Sequence, residues 1–234
     1  MYRKHLLAMM LCLVLLFAAL PILGQGELHG YDGAYQYVAF GTYPHTKEGG
    51  VQPIVWRVLQ VQNDVAYLLS DQIIDVKRID GDQWNYKGWL SSELYAWMQE
   101  DFIQAAFTVE EQQALHADDE LGRASLPSSD DIKNKAFGFV NDKSRFFYGT
   151  EYAFSQGLYS YTRGKYSPIF TRTVSSKTHA HRSTKVDGSI GFIGVESDDL
   201  GFLPVIWLDT SKVQVQSGSG SQMDPLMLTP REKL

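Results

Sequence analysis

An α+β domain, built mostly of antiparallel sheet with a few short helices and long loops, is the fold class this sequence predicts. Three observations predict it. Apolar and polar residues alternate with period two near the start, a block at helical spacing follows, and a glycine-, serine- and tyrosine-punctuated stretch then runs to a short apolar segment. Sheet and helices are segregated along the chain, which is the α+β order.

The chain of 234 residues opens on Arg3 and Lys4, an apolar run from Leu6 to Leu20, then Pro21, Gly24 and Gly26. That succession is the charged, apolar and small-residue order of a secretory signal, so residues 1–26 are expected to direct export. The run falls short of the ~20 residues a bilayer-crossing helix needs, although counting on to Leu23 reaches the lower margin, where it would act as an uncleaved anchor. Pro21 favours cleavage, because it breaks the helix where a peptidase needs extended chain. Cys12 lies deep in the apolar run, without the setting of a lipid-modified cysteine.

Cys12 is the sole cysteine, so its removal leaves a domain with no disulfide, no thiolate nucleophile and no thiolate metal site. About two hundred residues can bury a core that holds without such staples. The net charge of −6 becomes more negative once Arg3 and Lys4 leave. Nucleic acid is therefore not an expected partner, and a membrane is one only through an uncleaved N-terminal segment.

Each element follows from its pattern. Tyr35 to Tyr43, Ile54 to Gln62 and Val65 to Ser70 alternate as strands, the last two joined by the turn Gln62-Asn63-Asp64. In the middle strand Val55, Arg57, Leu59 and Val61 are expected on one face, and Ile54, Trp56 and Val58 on the other. Ser91 or Ser92 is the N-cap of a helix in which Leu94, Trp97, Met98, Phe102 and Ile103 share a face. Thr108 with Glu111 forms a capping box for a second short helix running through Leu115. Pro127-Ser128-Ser129 introduces a third near Asp130 to Phe137. Val186-Asp187-Gly188-Ser189-Ile190 reads as a tight hairpin, and Phe202 to Leu208 as a buried closing strand. The single domain is expected over 35–215. The run Ser217-Gly218-Ser219-Gly220-Ser221 then opens a flexible tail over 216–234.

Five strings in this order resemble a bacterial domain family of unknown function, numbered 6273. They are Val38 through Phe40, Gly41 and Tyr43 to Pro44; Pro53 through Trp56 and Arg57 to Leu59; Tyr67 to Ser70; Trp89 to Phe107; and Leu203 to Leu208. The family's usual progression is FG-x-YP, PI-x-WRVL, LLS, WLN-x-x-F-x-x-x-AF and RPALWL, and the likeness spans roughly residues 37–210. It implies a C-type-lectin-like or formylglycine-generating-enzyme-like architecture. Two departures stand out: Leu203 replaces the usual arginine, and Ser167-Pro-Ile-Phe-Thr-Arg-Thr replaces a tryptophan-rich run, with Arg172 in the place of that run's arginine. The cysteine-dependent chemistry of formylglycine generation is set aside, because the mature chain has no cysteine.

Chemistry-bearing residues are sparse. His179 and His181 would project together from a strand, the minimum for two metal ligands, but their surroundings are basic and a solvated loop explains them. The acidic runs Asp118-Asp119-Glu120, Asp130-Asp131 and Asp198-Asp199 read as loops and helix starts, since acid/base work needs carboxyls set across a cleft. No Gly-x-Ser-x-Gly elbow and no Ser-x-x-Lys set is present. Neither metal nor cofactor is expected, and no catalytic residue is assigned.

The distinctive feature is the tyrosine and arginine concentration from Arg145 to Arg172. Such side chains make adaptable contact surfaces, unless the rings merely fill space between loops. Tyr159, Tyr161, Arg163, Tyr166 and Arg172 are the candidate ligand-binding residues, with Trp84, which stands in a polar loop. The expected function is an exported binding or interaction module for a glycan, peptide or surface protein. The alternatives are a hydrolase of envelope or extracellular polymer, and a structural part of an envelope assembly.

Overall fold

The computed structural model describes residues 26–160, 166–175 and 180–231. Apart from Gly26, the expected signal segment lies outside the described residues. Among those residues no helix is long and apolar enough to cross a membrane. The fold is mixed α+β and mostly β.

The alternating segments form a meander of β1 (Gln36–Pro44), β2 (Val51–Gln62) and β3 (Val65–Ser70). Asn63 and Asp64 both take positive φ, 51° and 60°, and so make the two-residue turn that matches the strand twist. After the short strand β4 (Asp75–Val76), helix α1 (Glu93–Trp97), a π-helical turn over Met98–Phe102, and α2 (Ile103–Ala106) run on as one rod. Ser92 caps it by accepting from the Tyr95 N–H at 3.1 Å. Thr108 and Glu111 close the expected capping box on α3 (Val109–Ala114). The stretch near Asp130 to Phe137 forms two 3-10 turns, Asp131–Lys133 and Lys135–Phe137, and no longer helix.

Strand β5 (Ala124–Ser125) and helix α4 (Glu151–Ser155) precede a separate three-stranded sheet of β6 (Phe170–Val174), β7 (Ala180–Thr184) and β8 (Ile190–Gly194). The expected hairpin joins β7 to β8, with Gly188 at φ 78° supplying the left-handed residue. Strand β9 (Gly201–Phe202) pairs with β4, and β10 (Val205–Asp209) pairs with both β3 and β5.

The last residues depart from expectation. The segment expected to trail as a flexible tail instead supplies strand β12 (Leu226–Pro230), and β11 (Val213–Ser217) pairs with it. The large sheet thus runs β11-β12-β1-β2-β3-β10-β5, with β12 parallel to β1. The Ser-Gly run is a tight connection and not a linker: the Ser219 N–H donates to the Asp224 carboxylate at 2.8 Å, and the Gly220 carbonyl accepts from the Tyr37 N–H at 2.9 Å. Leu226 and Leu228 are buried in the same core as the helical rod. The domain therefore extends to the end of β12.

Two apolar cores lie on opposite faces of this sheet. On the first, Val38, Phe40, Trp56, Val58, Leu68, Ile206 and Leu208 pack against Leu94, Met98, Phe102, Ile103 and Phe107 of the helical segment. Trp56 Nε1 donates to the Phe40 carbonyl at 2.8 Å, so the buried indole leaves no donor unsatisfied. Gly41 sits at φ 70° where the β1–β2 register shifts, and a Cβ there would lie 2.5 Å from the Phe107 ring. Glycine is required at that bulge for both reasons.

On the second face Leu59, Leu69, Ile73 and Val205 are covered by Ile132, Phe139, Phe147, Ile169 and Leu203, which come from loops and single turns. Arg57 also points to this side. It is buried against Asp71, with Nε to Oδ1 at 2.7 Å, and its guanidinium lies 5.2 Å from the Tyr35 ring centre. Gln222, from the β11–β12 connection, donates to the other Asp71 oxygen at 2.8 Å. The last part of the chain thereby helps to satisfy a buried carboxylate.

One face assignment within β2 is corrected by the structure. The register shifts between Val58 and Gln60, so Leu59 and Gln60 both lie on the loop-covered side. Beyond that bulge Val61 turns to the helix-covered core, contrary to the simple alternation that grouped it with Arg57 and Leu59. Gln60 and Gln62 turn to the other side instead, because an extra residue in one strand reverses the parity of everything after it.

Candidate functional site

The bulge leads directly to the site. On the loop-covered face, Val205 pairs with Leu69 under the loops, and two residues further along Trp207 pairs with Tyr67 where the loop cover ends. The result is a groove of roughly 720 Å³. Trp207, Tyr67 and Phe137 are half-buried and form its floor, with ring centres 5.3 Å apart for Tyr67–Trp207 and 5.9 Å for Tyr67–Phe137. Gln60, Gln62 and Asn63 edge it from the β2–β3 hairpin. Gln60 Nε2 donates to Gln62 Oε1 at 3.0 Å, which sets the two amides side by side.

The opposite wall is the 116–122 loop. The His116 N–H donates to the Trp207 carbonyl at 2.8 Å, tying this wall to the floor. Asp118 Oδ1 accepts from the N–H groups of Glu120 and Leu121 at 3.0 and 2.9 Å, so this carboxylate holds its own turn.

Asp131 and Arg172 close the end. Ser128 and Asp131 cap each other's backbone at 2.9 and 2.7 Å. The same Asp131 Oδ2 accepts from the Tyr67 hydroxyl at 2.9 Å and pairs with Arg172 Nη1 at 3.1 Å. Arg172 reaches there from β6 and also donates to the Leu126 carbonyl at 2.6 Å. Burial, reinforced by the Asp131 carboxylate and partly offset by Arg172, pushes the Tyr67 hydroxyl well above the usual tyrosine value. Tyr67 is therefore a fixed donor, and Asp131 Oδ2 accepts from Tyr67, the Ser128 N–H and Arg172 together.

The candidate residues named from the sequence are dispersed. Arg172 lines the groove. Tyr166 stacks flat on Phe146, with ring centres 4.0 Å apart, beside Tyr148. Tyr159 is 43% exposed and Trp84 78% exposed, and neither lines the groove. Tyr161 and Arg163 lie outside the described residues, as does His179. His181 is buried: Nδ1 donates to the Thr171 carbonyl at 2.8 Å, which leaves Nε2 to accept from the Tyr86 hydroxyl. Burial lowers its pKa, partly offset by the bond to Thr171, and both ring nitrogens are committed to the protein.

Sequence alone does not single out Tyr67, which stands in the strand Val65 to Ser70, or Trp207, which stands in the closing strand Phe202 to Leu208. The available signal was the aromatic residue on the outward beat of two neighbouring strands, each flanked by fully buried aliphatics. No family model, no curated protein and no solved structure matches the chain.

Proposed function

We propose that the chain is an exported bacterial binding or interaction module that takes glycan or peptide ligands in the Tyr67–Trp207 groove, with no catalytic residue assigned. In this reading residues 1–26 are a cleaved leader and the domain works outside the cytoplasmic membrane. The carrying observation is the groove itself, an aromatic floor edged by side-chain amides with its carboxylates already bonded within the protein. Such a surface offers stacking area and amide hydrogen bonds.

We propose, on the motif strings alone, kinship with the family numbered 6273 and its C-type-lectin-like architecture. Residues of those strings carry structural roles in the fold. Gly41 forms the bulge against Phe107, Trp56 fills the centre of the helix-covered core, and Arg57 makes the buried ion pair.

Glycan and peptide arrays probed with the purified protein test the function. Binding without turnover that is lost in Trp207→Ala supports it. Hydrolysis of a bound polymer would favour the hydrolase alternative, and blank arrays with a constant crosslinked neighbour in cells would favour the architectural one.

A further inference from the structure

The groove does not end at Phe137. A second hollow of roughly 380 Å³ continues on its far side, sharing Gln60 and Phe137 with the first and lined by Gly30, Tyr31 and Asn134. Phe137 is held between the two by the Tyr35 hydroxyl, which donates to its carbonyl at 2.8 Å. Burial, opposed in part by Arg57, raises Tyr35 to about 12, so this donor persists across the physiological range. Tyr31 packs on Tyr35 with ring centres 4.9 Å apart, and its N–H donates to the Leu59 carbonyl at 3.2 Å.

Taken together, Trp207 on β10, Tyr67 on β3, Gln60 on β2 and Tyr31 beside β2 make a stripe across the strands. Trp207 pairs with Tyr67 and Tyr67 with Gln60, so the stripe is fixed by sheet register. It spans about three strand spacings, on the order of 14 Å, which exceeds one sugar ring. The smaller hollow is lined by no charged residue among the described ones. In the larger, Arg172 is paired with Asp131, so among the described lining residues Asp118 is the carboxylate without an ion-pair partner, with His116 the other ionisable group. An anionic ligand would meet the Asp118 carboxylate there and, among the described lining residues, no lysine or arginine without an ion-pair partner. Flat apolar ring faces with hydroxyl edges match aromatic floors bordered by amides.

The geometry points to an uncharged oligosaccharide lying across the strands, with one subsite on Tyr67–Trp207 and a second at Tyr31, divided by Phe137. This rests on the binding-module reading and narrows it to one ligand class. The test is an array of neutral and uronic-acid oligosaccharides, followed by titration of a length series of the strongest neutral hit. Neutral chains are expected to bind, with a tetrasaccharide at least about tenfold tighter than the disaccharide, since the longer chain reaches the second aromatic platform. Tyr31→Ala should erase that length advantage while sparing the disaccharide. Trp207→Ala, or Gln60→Ala should the first fail to fold, should weaken every length.

Preference for acidic sugars, equal binding of all lengths, or binding of peptides alone through the groove would overturn this inference and leave the module reading standing. Blank arrays, or binding indifferent to Trp207→Ala and Gln60→Ala, would remove both.

Discussion

The two faces of the seven-stranded sheet are covered by different means, and the difference explains where a ligand can sit. On one face a continuous helical rod and α3 lay apolar side chains over the strands, and Trp56 is fully buried beneath them. On the other, loops and single turns cover Leu69 and Val205 but end before Tyr67 and Trp207. Helices present a regular ridge of side chains that can close over a sheet. Loops cover only where their own backbone groups find partners, as at Asp131 and Asp118, and so leave a bordered gap. The two tryptophans record the contrast: Trp56 builds the core, whereas Trp207 floors the groove.

The comparison breaks most visibly if both tryptophans cost the same when truncated. Trp56→Ala is expected to destabilise by about 3–5 kcal/mol in denaturant unfolding, as for a large side chain deleted from a close-packed core. Trp207→Ala should lose about 0.5–1.5 kcal/mol for its ring pair with Tyr67, with a modest further loss from half-burial. Equal losses would mean that the groove is core.

Asp71→Ala tests what anchors the loop-covered side. It strands the Arg57 charge in a buried site and removes the partner of Gln222, so a cost of about 3–5 kcal/mol is expected. A loss under about 1 kcal/mol would show that the pair behaves as a surface bridge. Gly41→Ala, on the helix-covered side, combines positive φ with a clash against Phe107 and should cost on the order of 2–4 kcal/mol.

The smallest effect concerns acid. His181 has its pKa lowered by burial from 6.5, so below that value the unfolded chain takes up a proton that the folded chain resists. Its contribution is fully present above pH 6.5 and is lost as pH falls towards the folded value. The melting temperature should therefore drop between about pH 7 and pH 5, and His181→Gln should flatten that drop relative to the parent. An unchanged slope would assign the acid sensitivity to other groups.

Much of this architecture was legible in the chain, because local rules and tertiary packing agree there. The Asn63-Asp64 turn, the Ser92 cap and the Thr108–Glu111 box each follow from side-chain chemistry within a few residues. Two features were not legible. The β2 bulge after Val58 leaves no mark in an alternating run, yet it decides that Gln60 faces the groove and Val61 the core. Strand β12 is short and follows a Ser-Gly run, and its place depends on pairing with β1 nearly the whole chain away. The groove was legible only at Arg172, because its other walls come from β3, β10 and the 116–122 loop, which meet through sheet register and not through sequence proximity.

The central claim is that ligand contact occurs on the Tyr67–Trp207 floor and not at the exposed Trp84. Indole N–H resonances of the five tryptophans, followed by NMR while the strongest array hit is titrated, test it directly. Saturable movement of the Trp207 signal with Trp84 unmoved is the predicted result. Movement of Trp84 with Trp207 silent would contradict the account.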